Sequence, residues 1–148
     1  GNDAATRFQM PEQFVPQTGA AGWQLSNAPV FTTAPLKASL AIFDEVGIEA
    51  LRERALRLTD YLLERLDVVA GDRLTVLTPR AHARRGCQLS LSFHGRGRLI
   101  HAALAEAGVV CDYRDPDVIR IAPVPLYNSF EDCWRFAEAI GLVLAGSG

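Results

Sequence analysis

One arginine, Arg120, lies in the middle of the apolar stretch VIRIA, which runs from Val118 to Ala122. Branched apolar residues in so short a run predict a β-strand. Pro123 and Pro125 end it, because proline fixes φ and lacks a backbone donor. Alternation along the strand places Arg120 on the same sheet face as Val118 and Ala122, where its planar guanidinium is suited to bind a carboxylate through two parallel hydrogen bonds. The alternative is a solvated face on which Arg120 is an ordinary surface charge.

The other reactive side chains show no spacing typical of a site. The three cysteines lack a CxxC pair, which argues against a zinc site or a redox dithiol, and we expect buried thiols in a reducing compartment. The three histidines lack metal-ligand spacing and are expected on the surface or in loops. The only lysine, Lys37, lies in a helical pattern and is expected to be solvated. The cysteines are Cys87, Cys111 and Cys133, and the histidines are His82, His94 and His101.

Composition excludes several classes of protein. The chain has 148 residues, of which 49% are hydrophobic and 22% are charged. This length and composition are typical of one compact globular domain. A net charge of −2 gives no basic face for nucleic acid. No apolar run approaches the roughly 18 residues of a membrane span. No signal peptide is recognisable, and we expect a cytoplasmic protein. Because the chain starts at Gly1 without a methionine, we expect it to be a fragment.

The hydrophobic pattern predicts the element order α-α-β-β-α-β-β-α. Residues 1–33 are punctuated by proline and glycine, have no sustained period, and suit a segment draped over another domain. Residues 34–148 predict a small sheet with helices packed on it, an α/β domain of α+β-like character. The predicted helices are 34–46, 48–68, one around Leu99–Ala107, and one from Phe130 to about Leu144, and the predicted strands are 74–77, 87–93, 109–113 and the Arg120 strand.

Local signals mark the ends of these elements. Gly47 divides the first two helices, and Gly108 is a natural left-handed cap for the third. Ser129 with Asp132 resembles a capping box at the start of the last helix. The arginine-rich connection His82–Arg85 predicts a solvated hairpin loop.

Three separated blocks carry a resemblance to a known family. VIRIAPVPLYNSF, RGCQLSLSF at Arg85–Phe93 and GVVCDYRDPD at Gly108–Asp117 resemble, in this order, the C-terminal part of kynureninase. Kynureninase is a pyridoxal-phosphate enzyme of the aspartate-aminotransferase fold. The similarity extends to GWQLSNAPV at Gly22–Val30 and KASLAIF at Lys37–Phe43, so it covers nearly the whole chain. It implies the C-terminal small domain of that fold, preceded in residues 1–33 by a segment of the large cofactor domain.

The resemblance also implies roles for two residues. Arg120 matches the arginine that receives the α-carboxylate of the amino-acid substrate. Asn27, in the SNAP motif, matches the position that contacts the cofactor phosphate, in a site assembled across a homodimer interface. From spacing alone, Asn27 instead suits a turn before Pro29. The aromatic cofactor contact that the family places upstream of TRFQM, at Thr6–Met10, is missing here. Trp23 does not replace it, because Trp23 falls outside that motif and is expected in the core.

The implied reaction is the hydrolysis of L-kynurenine, or its 3-hydroxy form, to anthranilate, or 3-hydroxyanthranilate, and L-alanine in tryptophan catabolism and NAD biosynthesis. The lysine that holds pyridoxal phosphate is expected upstream, so this fragment alone is expected to carry no catalytic residue and to be inactive. Another enzyme of the same fold, such as a cysteine desulfurase or an aminotransferase, is the first alternative. A non-catalytic α/β binding or dimerisation module is the second, since fold does not determine function.

Overall fold

The computed structural model describes residues 1, 3, 5–6 and 8–146. They form two compact units, Gly1–Glu45 and Val46–Gly148, called here the N-terminal unit and the sheet unit, each described by itself. The assignment of residues 1–33 to a larger cofactor domain, and of residues 34–148 to a small domain, stays a prediction.

Helices and strands follow one another in the predicted order, so the predicted fold class is confirmed. The helices are α1 (Val30–Val46), α2 (Ile48–Ala70), α3 (Gly97–Glu106) and α4 (Phe130–Gly146). The strands are β1 (Thr75–Val76), β2 (Leu89–Ser92), β3 (Asp112–Arg114) and β4 (Val118–Ile121). Short 3-10 turns occupy Gly19–Trp23, Gly71–Arg73 and His82–Arg84.

The four strands form one antiparallel sheet in the order β1-β2-β4-β3. Strand β4, which carries the predicted arginine, is therefore an inner strand with a partner on each side. Ile119 lies opposite Leu91 on β2 and Tyr113 on β3. Ile119 and Ile121 are buried while Val118 and Arg120 remain partly exposed, so the two faces of β4 alternate as the sequence predicts.

The core of the sheet unit lies between one sheet face and helices α2, α3 and α4. Helix α2 contributes residues spaced three or four apart, the spacing that puts side chains on one helical face. Ile48 fits the same spacing but is 67% exposed at the helix start. Cys133 of α4 is buried as expected, and burial raises the pKa of its thiol to about 11. The largest fully buried apolar side chains are Leu58, Leu62, Leu66, Leu89, Leu91, Phe93, Ile100, Leu104, Ile119 and Ile140.

Two expectations for the N-terminal unit are wrong. Trp23, expected in the core, is 87% exposed at the end of a 3-10 turn. Helix α1 begins at Val30 rather than at Ala34 and has Pro35 inside it. Pro35 is the sixth residue of α1 and has no N–H to donate to the carbonyl four residues earlier, so it costs the helix one backbone hydrogen bond without ending it. No residue of α1, which the structure describes throughout, is buried.

Asp117, in the turn before β4, joins three elements of the sheet unit. Its Oδ2 accepts hydrogen bonds from Ser92 Oγ at 2.6 Å and from the Phe93 N–H at 2.9 Å. Its Oδ1 accepts from the Gly97 N–H, at the start of α3, at 2.6 Å. A Cβ at residue 97 would lie 2.6 Å from the Asp117 carbonyl oxygen, so this close approach requires glycine. Burial opposes ionisation of Asp117, but these hydrogen bonds outweigh it and hold the pKa of the carboxyl below its ordinary value.

The predicted helix-end signals of the sheet unit are confirmed. The Asp132 N–H donates to Ser129 Oγ at 3.2 Å, and the Ser129 N–H donates to Asp132 Oδ2 at 2.7 Å, which closes the capping box of α4. Gly47 and Gly108 have φ of 84° and 80°, the left-handed region that glycine adopts at low cost. These signals fix where the loops around the candidate site begin and end.

Candidate functional site

Arg120 lies on the partly exposed face of β4, and its side chain is 34% exposed. Strand pairing places Asp112 of β3 directly opposite it. Arg120 Nε donates a hydrogen bond of 2.6 Å to Asp112 Oδ2, and Nη2 contacts the same oxygen. The arginine is therefore not an unpaired surface charge, because one edge of its guanidinium is held by a carboxylate across the strand pair.

Asp112 is shared between two cations. Arg114, two residues along β3, donates from Nε to Asp112 Oδ2 at 2.9 Å. The hydrogen bond from Arg120, followed by the contacts with Arg114, lowers the pKa of the Asp112 carboxyl. The cluster of Arg114, Asp112 and Arg120 thus holds two positive charges and one negative charge. It retains one positive charge, which suits one additional anion.

A cavity of about 670 Å³ opens beside Arg120. Its wall combines the end of β4, the chain that follows it, the segment before β3 and one face of α4. Both the apolar core and charged side chains reach this wall, so the cavity can hold an apolar group next to a charged one. The lining residues are Leu62, Ala107–Cys111, Arg120–Val124, Tyr127, Asn128, Asp132, Cys133, Arg135, Phe136 and Ala139.

The segment after β4 is held rigidly at the cavity. Asn128 Oδ1 accepts a hydrogen bond of 2.8 Å from the Val124 N–H, so the asparagine closes the turn by its own side chain. Arg54 of α2 donates from Nε to the Pro125 carbonyl at 3.0 Å and from Nη2 to the Asn128 carbonyl at 3.1 Å. Tyr127, at the tip, is 75% exposed. Tyr127 and Asn128 both form part of the cavity wall, and Arg54, for which the sequence predicted no role, fixes the segment that carries them.

Asn27 belongs to the N-terminal unit and is exposed there. It lines a second cavity, of about 410 Å³, together with Ser26 and Gln24. Gln24 Nε2 donates to the Ser26 carbonyl at 2.7 Å, which orders the backbone just before Asn27. Because Asn27 and Arg120 lie in different units, their predicted roles in one site stay predictions.

The loop between β1 and β2 contains a buried arginine that sequence reasoning missed. Arg85 was expected in a solvated hairpin loop, but its side chain is only 1% exposed. Its guanidinium donates to Asp60 Oδ1 and to the Arg80 carbonyl, and its Nη2 lies 3.3 Å from Thr59 Oγ1. His82 also contacts Asp60, at 2.8 Å. The sequence carries no signal that distinguishes Arg85 from the neighbouring arginines, because the side chains that it contacts, Thr59 and Asp60, lie some two dozen residues earlier on α2.

The remaining candidate side chains form no metal site among the described residues. All three cysteines are free; Cys133 is buried, and Cys87 and Cys111 are half-buried rather than buried as expected. His82 and His94 are exposed, in line with expectation, whereas His101 is half-buried on α3 with a ring nitrogen 3.1 Å from the Cys111 carbonyl. Lys37 is exposed on α1, as expected. In the described part of the chain no helix has the length and apolar character needed to cross a membrane.

Comparison with known proteins agrees with the resemblance seen in the sequence. The family model described as kynureninase C-terminal domain matches residues 51–140. The kynureninase of Xanthomonas euvesicatoria pv. vesicatoria is 52% identical over 143 residues, which are 95% of this chain and 34% of that protein. Those of Koribacter versatilis and Myxococcus xanthus are each 49% identical, over 93% and 95% of this chain and 32% and 33% of their own lengths. The chain thus spans about a third of the length of these relatives. A family match over more than half of the chain, with relatives at about half identity, shows that this chain belongs to the kynureninase C-terminal domain family.

Proposed function

We propose that this chain is the C-terminal part of a kynureninase, a hydrolase that converts L-kynurenine or 3-hydroxykynurenine to L-alanine and anthranilate or 3-hydroxyanthranilate. Residues 1–33 then belong to the large cofactor domain and residues 34–148 to the small domain. The observation that carries the proposal is the position of Arg120: a partly exposed, carboxylate-held arginine at a cavity of about 670 Å³, inside the stretch that the family model matches.

Arg120 is suited to the α-carboxylate of an amino-acid substrate. A guanidinium offers two parallel N–H donors to a carboxylate, a geometry that fixes orientation as well as charge. The cluster with Asp112 and Arg114 retains one positive charge, which a single carboxylate neutralises. The neighbouring wall includes Tyr127, Phe136 and apolar side chains, which suit the aryl ketone of kynurenine. A bound carboxylate restricts the orientation of the substrate. Correct orientation at the reacting groups can lower the activation free energy by several kcal/mol.

The residues of this chain do not make a pyridoxal-phosphate site by themselves. Such a site needs a lysine next to a phosphate-binding cradle, and Lys37, the only lysine, is exposed on α1. Asn27 is the one residue that we assign to the cofactor, as a donor to its phosphate from the exposed edge of the N-terminal unit. The lysine and the other phosphate ligands then belong to the rest of the full-length protein, with the site assembled in a homodimer.

The cofactor, when bound, supplies the electron sink for cleavage between Cβ and the ketone carbon. The residues of this chain orient the substrate. Arg120 binds the carboxylate, and the segment held by Arg54 and Asn128 forms a wall of constant shape beside it. Three free cysteines are compatible with a reducing compartment, and we place the enzyme in the cytoplasm.

The test is steady-state kinetics of the full-length protein that contains this chain, loaded with pyridoxal phosphate. Arg120→Lys keeps the charge but loses the planar fork, so kcat/KM for L-kynurenine should fall by about one to three powers of ten, or roughly 1.4 to 4 kcal/mol. Arg98→Lys is the matched control, since Arg98 is 72% exposed and pairs with Asp115 on the surface. Normal kinetics in both variants, or no hydrolysis by the wild-type protein, would overturn the proposal.

A further inference from the structure

We infer that Asp112 is a positioning residue that holds the Arg120 guanidinium in the orientation required for the substrate carboxylate. The inference rests on the proposed function, because it assumes that Arg120 receives that carboxylate. It assigns a role to a residue of β3 for which the sequence carried no expectation.

The orientation follows from the strand pairing. Asp112 and Arg120 lie opposite each other in the antiparallel pair β3 and β4, so their side chains leave the same sheet face as neighbours. Asp112 binds with one oxygen, Oδ2, which accepts from Nε and contacts Nη2. The carboxylate therefore occupies one edge of the planar guanidinium and limits its rotation about the side-chain bonds.

The other end of the guanidinium stays available. Among the described residues, Nη1 of Arg120 has no hydrogen-bond acceptor, and Arg120 is part of the cavity wall. The edge formed by Nη1 and Nη2 is thus the one that a second carboxylate can approach. A guanidinium held on one edge loses less conformational freedom when a ligand binds to the other, so an oriented arginine binds more tightly than a mobile one.

Charge supports the same division of roles. Asp112 faces Arg120 from β3 and is also bonded to Arg114, so it does not cancel the positive charge of the cluster. If Asp112 merely filled the ligand position, its removal would strengthen substrate binding. If it positions Arg120, its removal weakens binding. The sign of the effect therefore distinguishes a competitor from a positioning group.

The experiment is a double-mutant cycle in the full-length protein. Asp112→Asn should raise KM for L-kynurenine by roughly tenfold and change kcat by less than about threefold, because it affects binding of the carboxylate in ground and transition states alike. In an Arg120→Ala background the same change should alter KM by less than about twofold, since the group that it positions is gone. Asp112→Glu should recover part of the loss. Asp115→Asn, which removes an exposed carboxylate of the same hairpin, is the control and should leave KM unchanged.

Three results would overturn the inference: an unchanged KM in Asp112→Asn, a lower KM, or an equal rise in KM with and without Arg120. A wild-type protein that does not hydrolyse kynurenine would reject the proposed function instead. In that case ¹⁵N NMR of this chain, titrated with acetate, tests the inference on its own. Acetate should shift the Arg120 Nε–Hε signal with several-fold weaker affinity in Asp112→Asn, and equal affinity in the two proteins would refute the positioning role.

Discussion

Replacing the buried Arg85 with methionine is expected to destabilise the sheet unit by about 2 to 3 kcal/mol. Breaking a buried ion pair by removing one partner costs roughly 3 to 5 kcal/mol, because the other charge is left without compensation. Here the Arg85 side chain is 1% exposed, but Asp60 is 41% exposed and keeps His82 as a partner. Water and His82 therefore compensate Asp60 in part, and methionine preserves the packing of the arginine stem, which places the expected loss below that range.

The assay is guanidinium chloride unfolding followed by the fluorescence of Trp134. A Trp23→Phe background leaves Trp134 as the only tryptophan, so the signal reports the sheet unit alone. In thermal unfolding the same loss corresponds to a fall in Tm of about 8 to 24 °C, since about 1 kcal/mol shifts Tm by roughly 4–8 °C in a domain the size of the sheet unit, Val46–Gly148.

Arg80→Met is a matched control. Arg80 lies in the same loop and binds Asp67, also on α2, through two hydrogen bonds of 2.9 and 2.5 Å. Both side chains of that pair are more than half exposed, so its loss should cost less than about 1 kcal/mol. If Arg85→Met is no more destabilising than Arg80→Met, burial of the Arg85 ion pair adds nothing to the stability of the sheet unit.

Three further predictions concern single residues. Asp117→Asn should cost about 1 to 3 kcal/mol at pH 7 through lost charge-assisted hydrogen bonds. Because the folded-state pKa of Asp117 is lowered, this stabilisation is present above the ordinary carboxyl pKa and is lost as pH falls through the folded-state pKa. The free energies of unfolding of wild type and variant, measured by urea denaturation, should therefore converge in acid. A difference in stability that is independent of pH would contradict the linkage. Asn27→Ala should weaken retention of pyridoxal phosphate by the full-length protein on dialysis, and Asn27→Thr should do so less, because a hydroxyl still donates; equal retention in Asn27→Ala and wild type would remove the cofactor role. This chain alone should not retain pyridoxal phosphate through gel filtration, because its lysine is solvated on α1; a visible absorbance band of bound cofactor that survives gel filtration, and that borohydride then fixes on Lys37, would contradict this expectation.

The order of elements was predictable because each has a strong periodic pattern, whereas their ends were not. Strand β2 was expected over residues 87–93 and covers Leu89–Ser92; β3 was expected over 109–113 and covers Asp112–Arg114. Apolar residues continue past the point where pairing stops, so hydrophobicity alone overestimates strands. The helix ends marked by Gly47, Gly108 and Ser129 were predicted more accurately than the strand ends, because a cap depends only on local geometry.

The candidate site was predictable only as single residues. Arg120 was identifiable because an arginine is rare within an apolar strand. Its partner Asp112 was not, since pairing depends on the register of β3 against β4, which the intervening turn determines. Arg85 was misplaced for the opposite reason: its local sequence is polar, and its burial comes from contacts with α2 that are remote in the chain.

The register of β4 links the stability of the sheet unit to the geometry of the candidate site. A shift of one residue in the pairing would turn every side chain of the strand to the other face. It would expose Ile119 and Ile121, which are 0% and 8% exposed, and would bury Arg120 away from the cavity. Exposing two isoleucines costs roughly 3 to 6 kcal/mol at 1.5–3 kcal/mol per side chain, and burying an unpaired guanidinium adds to that cost. The apolar residues on either side of Arg120 therefore hold it at the cavity, and a substitution that weakens the packing of Ile119 should disturb carboxylate binding as well as folding.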